Sequence, residues 1–469
     1  MVDPLNTVVD AEPALITSYG LRAGALGPAE TLAQSVSAMA PSTSASLTLP
    51  LVFALAGNAT WLVYLAATGA ILLVGFCISR FARTSASPGS LYTYTAESLP
   101  PVFGAIAAWG LLMAYLATGA SVAGGALYYV NLLSRQFLHW APPSIATLAV
   151  VCACAAYVAY RDVKLSAEVM LWIEVASLSL VTVVLAILMY KVGLHVDADQ
   201  LKIKGVRFSS LGPALVLSIF SFAGFESATT LGAEVRNPLR TIPRAVLLCA
   251  MLAGVFFMGC SYSEVLGFHG MPASLSETTS PLHQLATRAG VSALGLGIDL
   301  GAMVSMFACV LACATAAARV FLRMSHAEML PATLRQTSQT HGTPGVAIAV
   351  STLLMFLSTA IMATRGISGS DMYDLAGSLS VFGFLTAYAL VAIAVPFAVR
   401  PKQTSLARSS LLSAVTVLVI VLIGVFDVRS GSDPVHARIP YLYLIYVAAG
   451  LTFYLARRRK SSPGGHDTP

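Results

Sequence analysis

Two apolar segments of this chain are each interrupted, near their middle, by residues that break helices. The first segment covers residues 27–55 and is interrupted around Pro41; the second covers residues 209–235 and is interrupted around Gly224. A bilayer offers no water to the backbone groups that such a break leaves free, so irregular backbone at this depth occurs only beside a buried cavity. Interrupted spans at corresponding positions in two halves of a chain are typical of a secondary transporter's binding site.

The composition places the rest of the chain in a membrane as well. Hydrophobic residues make up 57% of the sequence and charged residues 10%, with a mean hydropathy of +0.78, whereas soluble domains carry about 25% charged residues. A helix that crosses the bilayer needs about 20 mostly apolar residues, and the sequence contains twelve such stretches. We therefore expect an all-α integral membrane protein with 12 transmembrane helices.

The positions of Lys and Arg predict how these helices are oriented. If both termini are cytoplasmic, 18 of the 27 basic residues fall in cytoplasmic tails and loops, as the positive-inside rule requires. We expect a multi-pass protein of the cell (inner) membrane with both termini in the cytoplasm. The net charge of +6 then reflects topology and lipid contact, not nucleic-acid binding, and the run 457–460 is interpreted as an anchor at anionic headgroups.

The predicted spans fall into two groups of five and a final pair. We expect cytoplasmic tails at residues 1–25 and 457–469 and one transporter domain at 26–456. Within that domain the predicted units are a first repeat at about 26–192, a second repeat at about 208–400, and helices 11 and 12 at about 409–456. Because each repeat has an odd number of spans, the second copy must be inverted. The last pair is assigned to scaffolding or dimer contact, which leaves both a monomer and a homodimer open.

The first break combines a helix-breaking proline with hydroxyl groups. Pro41 lacks an amide hydrogen and clashes with the preceding turn, and a helix that restarts near Ser44 presents its N-terminal amides to an anion such as a carboxylate. The alternative is a proline-kinked span without a ligand, since kinks are common in membrane helices. The substrate-binding candidates of this break are Ser37, Ala40, Pro41, Ser42, Thr43 and Ser44.

The second break contains an acidic residue at mid-membrane depth. An ionisable side chain there costs on the order of 3 kcal/mol and is a functional candidate by default. Glu226 is expected either to bind a substrate ammonium group or to carry a coupled proton. Its aromatic neighbours can wall the substrate or contact an amine through cation–π interactions, or simply pack between helices. The substrate-binding candidates of this break are Phe222, Ala223, Gly224 and Phe225.

Four further polar residues within the predicted spans are weaker candidates. Glu174 is a second candidate for proton coupling, with structural pairing inside the bundle as an equal alternative. Structural pairing is favoured for Glu30 and Asp299, and Gln34 is expected one turn from Glu30 on the wall of an inner vestibule. We predict neither a metal site nor a cofactor, because all seven cysteines fall within spans, where they behave as small hydrophobic residues.

Residues 222–245 read FAGFESATTLGAEVRNPLRTIPRA. This stretch closely resembles the sixth-span signature of the amino acid–polyamine–organocation (APC) superfamily of permeases, in which a Gly-Phe-Glu break precedes an acidic residue, an Asn-Pro pair and a basic Ile-Pro-Arg loop. The residues that match are Gly224, Phe225, Glu226, Glu234, Asn237, Pro238, Ile242, Pro243 and Arg244. Residues 87–94, 316–319, 330–331 and 343–344 resemble further motifs of the superfamily, so the likeness covers about 25–400.

The resemblance implies a LeuT-like fold, a five-plus-five inverted repeat with discontinuous helices 1 and 6, followed by two C-terminal helices. It also implies a substrate held between the first, third, sixth, eighth and tenth helices. Some proton-coupled members use a lysine in the fifth span, but none occurs here between Lys164 and Lys191. Glu226 is then the better candidate for the proton carrier, with Glu174 second. Related folds hold sodium between the first break and the eighth helix, where Ser305 and Thr315 offer hydroxyls.

The expected function is import of an amino acid or a related amine by a secondary transporter that uses alternating access and couples to protons. An exchanger of amino acids or polyamines and a sodium-coupled symporter are the alternatives. Primary pumping is disfavoured because the chain has no phosphate-binding Gly-x4-Gly-Lys-Ser/Thr motif. An intramembrane aspartyl protease, with Asp299 and Asp374, is a remote alternative because the glycine spacing and the chain order do not fit. A nutrient sensor is equally remote, since the tails are short.

Overall fold

The computed structural model describes residues 18–193, 196–398, 406–430 and 435–461. Within these ranges the regular secondary structure is helical, apart from one isolated parallel bridge between Leu26 and Val235. Residues 1–17 and 462–469 of the predicted tails, and the loop around Arg400 and Lys402, lie outside the described residues. The expectation of an all-α protein is confirmed for the described part of the chain.

The first half of the chain is a series of nine helices. They are α1 (Pro28–Met39), α2 (Pro41–Thr43), α3 (Leu49–Ala56), α4 (Thr60–Ala82), α5 (Ser90–Ser98), α6 (Pro101–Leu138), α7 (Ser144–Arg161), α8 (Val163–Val192) and α9 (Ala198–Leu201). A π-helical turn, Ser44–Thr48, joins α2 to α3, and a 3-10 turn, Gly57–Ala59, joins α3 to α4. The chain from Pro28 to Ala56 is therefore one span that is interrupted at Ala40.

The second half begins with a short helix and then continues with long ones. They are α10 (Leu211–Phe220), α11 (Pro238–Phe268), α12 (Pro281–Arg288), α13 (Ser292–His326), α14 (Gly345–Thr364), α15 (Gly369–Ala394), α16 (Leu406–Ser430) and α17 (Ile439–Ser461). Between α10 and α11 the chain forms turns and the 3-10 segment Ser227–Leu231. Asn237 takes left-handed backbone at the start of α11, and Pro238 fills the first helical position, where no amide hydrogen is needed.

Ten stretches of the described chain are long and apolar enough to cross a membrane. The first of them, Pro28–Ala82, contains both the interrupted span and α4, whereas α10, with 10 residues, is too short to be included. The protein is therefore a multi-pass membrane protein. The count of twelve spans and the boundaries of the two repeats stay predictions.

The two longest helices, α6 and α13, form the centre of the bundle, and α15 packs along α6. The α6–α15 contact is close because small residues face each other: a Cβ added at Gly383 would lie 2.5 Å from the carbonyl oxygen of Gly110. Small residues at such contacts are typical of helix packing in membranes. Helix α1 lies against α8, α11 and α13. This arrangement places the first break next to α13 and the second next to α6, α13 and α15.

Candidate substrate and coupling site

The first break occurs at a single residue. Ala40 has left-handed backbone, with φ 45° and ψ 66°, and its amide donates to the carbonyls of Val36 and Ser37, which ends α1. The helix restarts at once at Pro41, three residues earlier than the sequence predicts. A non-glycine residue in this conformation costs about 1–3 kcal/mol and is typical of functional sites. Pro41 explains the position of the restart because its ring is well suited to the first residue of a helix.

Three hydroxyl groups of this break have no hydrogen-bond partner among the described residues. They belong to Ser37, Ser42 and Thr43, whose side chains are fully buried. The neighbouring Ser46 differs, because its hydroxyl donates to the carbonyl of Ser42 at 3.0 Å. A buried hydroxyl without a partner costs about 1–3 kcal/mol. Three of them around one helix restart form a polar surface that a ligand can satisfy.

The second break lies directly against the first. Gly224 has φ +91°, a region that side chains rarely adopt, and a Cβ added to it would lie 2.8 Å from the Cβ of Ala38. Two hydrogen bonds of 3.0 Å join the breaks: the Ser227 hydroxyl donates to the carbonyl of Gln34, and the amide of Ala228 donates to the Ser35 hydroxyl. The structure thus brings together two segments almost 200 positions apart in the chain.

Glu226 is fully buried, and both of its carboxylate oxygens accept hydrogen bonds from tyrosines. The hydroxyl of Tyr115 on α6 donates to Oε1 at 2.9 Å, and that of Tyr388 on α15 donates to Oε2 at 2.5 Å. Phe384 packs between the two tyrosine rings, with centroid distances of 5.6 and 5.7 Å. The carboxylate therefore links the second break to α6 and α15, with one tyrosine bond on each oxygen. Its role towards an ammonium group or a proton stays a prediction.

The aromatic candidates of the second break are fully buried. The ring of Phe222 meets Phe257 of α11 with centroids 5.1 Å apart, and the ring of Phe225 meets Tyr388 at 5.6 Å. These contacts correspond to the packing alternative described above. A substrate-walling role for Phe222, Ala223 and Phe225 stays a prediction.

The candidate ion-coupling residues on α8 and α13 occupy separate places. The Ser305 hydroxyl donates to Oε1 of buried Glu174 at 2.7 Å, and Oε2 of Glu174 has no partner among the described residues. Thr315 follows Ser305 by ten positions on α13, which corresponds to about 15 Å along the helix. The structure therefore does not bring Ser305 and Thr315 together around one sodium ion. Each of the two hydroxyls stays a separate candidate for a sodium ion.

The contact between the first break and α13 is made by a thiol and an amide. The Cys309 thiol donates to the carbonyl of Ala38 at 3.2 Å, and the side-chain amide of Gln34 donates to the carbonyl of Ala312 at 2.9 Å. Gln34 is fully buried in this contact, whereas the sequence predicts that it lines a vestibule.

The remaining acidic candidates have structural partners. Oε2 of Glu30 accepts the amide hydrogen of Gly27 at 3.0 Å and so caps α1. Asp299 contacts Ser280 and His283 with distances of 2.5 Å each. Structural pairing is confirmed for both acids.

A buried ion pair closes the end of the bundle where α1 begins. The guanidinium of Arg319 on α13 donates two hydrogen bonds, of 2.6 and 2.8 Å, to the carboxylate of Glu234. Next to it, the amide of Leu26 donates to the carbonyl of Glu234, and the amide of Arg236 donates to the carbonyl of Leu26. The chain that enters α1 is thereby tied to the chain that leaves the second break.

The opposite end is closed by weaker contacts. Tyr373 of α15 packs on Phe220 with centroids 5.6 Å apart, and its hydroxyl lies 2.8 Å from that of Thr48. A cavity of about 30 Å³ lies beside these residues, lined also by Leu51 and Asp374. The contact between Thr48 and Tyr373 is a single hydrogen bond, whereas the contact between Glu234 and Arg319 at the α1 end is a bidentate ion pair.

A comparison with protein families agrees with this arrangement. The model of the amino acid permease family matches residues 26–449. This chain belongs to the amino acid permease family. It is therefore a membrane transporter of the APC superfamily and not an enzyme.

Two named transporters are similar to this permease over most of its length, and a third over less than half of it. The branched-chain amino acid permease BcaP of Bacillus subtilis (strain 168) is 24% identical over 426 residues, 87% of each chain. The methylthioribose transporter of the same strain is 25% identical over 429 residues, again 87% of each. The low-affinity putrescine importer PlaP of Escherichia coli (strain K12) is 29% identical over 211 residues, 42% of this permease and 44% of PlaP.

The crystal structure of MhsT in complex with L-phenylalanine has a similar fold. It superposes with a TM-score of 0.58 and 17% sequence identity, and the match covers 84% of this permease and 98% of MhsT. The expectation of a LeuT-like fold is confirmed by this likeness.

Sequence analysis did not identify Tyr115 or Tyr388 as functional residues. The sequence does contain a hint, because each tyrosine places a polar hydroxyl in the middle of an apolar stretch. Tyr115 lies on the third predicted span and Tyr388 on the tenth. Their separation from Glu226, by 111 and 162 positions, means that only the packing of α6 and α15 reveals the contact.

Proposed function

We propose that this permease imports an amino acid or a closely related amine together with a proton, with both termini in the cytoplasm. The observation that supports substrate binding is the set of three buried hydroxyls without partners, on Ser37, Ser42 and Thr43. The names of BcaP and PlaP support an amino acid or an amine as the substrate class.

The first break suits the carboxylate of an amino acid. The hydroxyls of Ser42 and Thr43 lie in the first turn after the restart at Pro41, where backbone amides and the helix dipole favour an anion. The ammonium group is assigned to backbone carbonyls at the ends of α1 and α10, since such ends favour a cation. We prefer this assignment to Glu226, whose carboxylate is held by Tyr115 and Tyr388 and is assigned to coupling.

Glu226 is the proposed site of proton coupling. An ionised carboxylate accepts strong, charge-assisted hydrogen bonds, and those from Tyr115 and Tyr388 hold the second break against α6 and α15. Protonation removes the charge, weakens both bonds and frees the break to move. Substrate binding at the first break and protonation at the second thus act on two segments that are in contact.

Sodium coupling is the less favoured alternative. Ser305 already donates its hydroxyl to Glu174, and the Cys309 thiol occupies the contact with the Ala38 carbonyl. A thiol is a poor ligand for a hard cation, which prefers oxygen.

The first test is uptake into proteoliposomes of a labelled panel of amino acids and biogenic amines under an inward proton gradient. We expect one class to accumulate, and an uncoupler that collapses the gradient to abolish the accumulation. Accumulation that follows a sodium gradient and ignores the uncoupler would contradict proton coupling. Entry of label only when unlabelled substrate is preloaded would identify an exchanger instead.

A further inference from the structure

Glu264 is a buried carboxyl group that belongs to neither break. It lies on α11, four residues before that helix ends at Phe268, and its side chain is 0% exposed. Neither of its carboxyl oxygens has a hydrogen-bond partner among the described residues. By contrast, the buried carboxylates of Glu226 and Glu234 each accept two hydrogen bonds from side chains.

The absence of donors determines the form in which this carboxyl group is stable. Burying an isolated ionised carboxylate costs far more than burying a neutral polar group. A neutral carboxylic acid in the same place costs about 1–3 kcal/mol, the usual penalty of an unpaired polar group. The surroundings of Glu264 in this closed arrangement therefore favour a bound proton.

A chain of contacts connects Glu264 to the second break. Cys260 and Phe257 lie one and two turns before it on the same face of α11. The ring of Phe257 packs on Tyr64 of α4, with centroids 5.3 Å apart. The Tyr64 hydroxyl lies 3.2 Å from the hydroxyl of Ser221, the first residue after α10.

The charged groups nearest to this end of α11 have other partners. Arg288 of α12 donates to the carbonyls of Gly267 and His269. Lys191 at the end of α8 lies next to Gly290, and the residues of α8 and α12 that meet Gly267 are the apolar Leu188 and Leu285. At the same end of α11, His269 lies 3.5 Å from Asp197, and Cys260 lies one turn before Glu264. Among the described residues, none of these groups donates a hydrogen bond to either oxygen of Glu264.

The chemistry of the site selects the ligand. A metal cation needs several oxygen ligands, and the described residues contain no group of three or more His, Cys, Asp or Glu that could share one. A single carboxyl group with two unpartnered oxygens is sufficient to bind a proton.

We propose that Glu264 is a second proton-binding site of the transport cycle, occupied in the closed arrangement and emptied to water when movement of the second break separates Ser221 from Tyr64. This inference rests on the proposed proton coupling and adds one proton to the one assigned to Glu226. Glu226 contacts α6 and α15. The site at Glu264 would make α11 and α4 part of the coupling as well.

The test compares Glu264→Gln with the wild type and with Glu277→Gln, a matched control at an exposed acid in the loop after α11. Infrared spectroscopy of the reconstituted protein measures the carboxylic acid C=O stretch across a pH series. Flux-reversal measurements under opposed gradients give the number of protons moved per substrate. We expect Glu264→Gln to lose one protonated-carboxyl band and to move one proton fewer, and Glu277→Gln to match the wild type.

Several outcomes would overturn the proposal. An unchanged infrared band in Glu264→Gln would show that this carboxyl is not protonated, and an unchanged proton count would remove it from the cycle. A wild type that moves no proton at all would reject proton coupling as a whole, which is a different failure.

If Glu264→Gln does not fold, Tyr64→Phe replaces it: this variant retains the ring contact with Phe257 but not the bond to Ser221. In the wild type, substrate addition should weaken the band as the second break moves. In Tyr64→Phe the hydroxyl contact is absent from the start, so substrate addition should change the band less; the same change as in the wild type would contradict the proposal.

Discussion

The two breaks lie against each other, yet their polar groups are satisfied in opposite ways. In the first break, the hydroxyls of Ser37, Ser42 and Thr43 are buried without partners among the described residues. In the second, both oxygens of Glu226 accept hydrogen bonds, from Tyr115 and Tyr388. An unpaired buried hydroxyl costs about 1–3 kcal/mol, which a bound ligand can offset, whereas the charge-assisted hydrogen bonds from the two tyrosines already stabilise the Glu226 carboxylate.

The difference teaches that depth in the membrane does not by itself distinguish a ligand contact from a coupling group. Both breaks lie at mid-span, and both are buried. The two breaks differ in their hydrogen bonds. The hydroxyls of the first break are free to donate to an anion, whereas the carboxylate of the second accepts hydrogen bonds from α6 and α15. We therefore assign substrate recognition to the first break and coupling to the second.

The largest effect is expected where the two breaks meet. Gly224→Ala adds a Cβ 2.8 Å from that of Ala38, at a φ of +91°, so strain and overlap should together cost about 3 kcal/mol. We expect substrate uptake to fall about 100-fold. The matched control is Gly69→Ala on α4, where an added Cβ meets nothing within 4 Å. Equal uptake by the two variants would show that the breaks do not need this close contact.

An intermediate effect is expected at the first break. Ser42→Ala removes a hydroxyl that has no protein partner, whereas Ser46→Ala removes one that donates to the Ser42 carbonyl. If Ser42 contacts the substrate, its loss should raise KM about tenfold, the equivalent of one hydrogen bond to a charged group. Ser46→Ala should leave KM within about twofold of the wild type. A KM that rises in Ser46→Ala but not in Ser42→Ala would contradict the assignment.

The smallest effect is expected from a single tyrosine of the second break. Tyr388→Phe removes one of the two donors to Glu226 and keeps the ring contact with Phe225. Because the ionised carboxylate loses a hydrogen bond, protonation becomes easier, and the pH of half-maximal accumulation should shift upward by about one unit. KM should change little. A raised KM with an unshifted pH profile would place Tyr388 in substrate binding instead.

Much of the fold follows from local features of the sequence. The breaks at Pro41 and Gly224 are visible because proline and glycine have backbone requirements that hold in any context. The apolar stretches predict membrane helices because the bilayer leaves few alternatives. The capping role of Glu30 is equally local, since its partner, Gly27, lies three residues away.

The sequence says much less about contacts between distant helices. Tyr115, Tyr388 and Arg319 acquire their partners only when α6, α15 and α13 pack against the second break. Glu264 was not identified because one acid near the end of an apolar helix resembles an interfacial residue until its burial is known. For Ser305 and Thr315, residue type alone indicates possible ligands, and only their spacing along α13 shows that they lie apart.

The most direct test of the division between the two breaks is Glu226→Gln, measured in two transport modes of the same proteoliposomes. Gradient-driven accumulation requires coupling, whereas exchange of labelled for unlabelled substrate requires only binding and movement. We expect Glu226→Gln to lose accumulation and to retain exchange with a KM close to that of the wild type. Accumulation that still follows the proton gradient in this variant would contradict the account, and loss of exchange through a raised KM would return Glu226 to the substrate site.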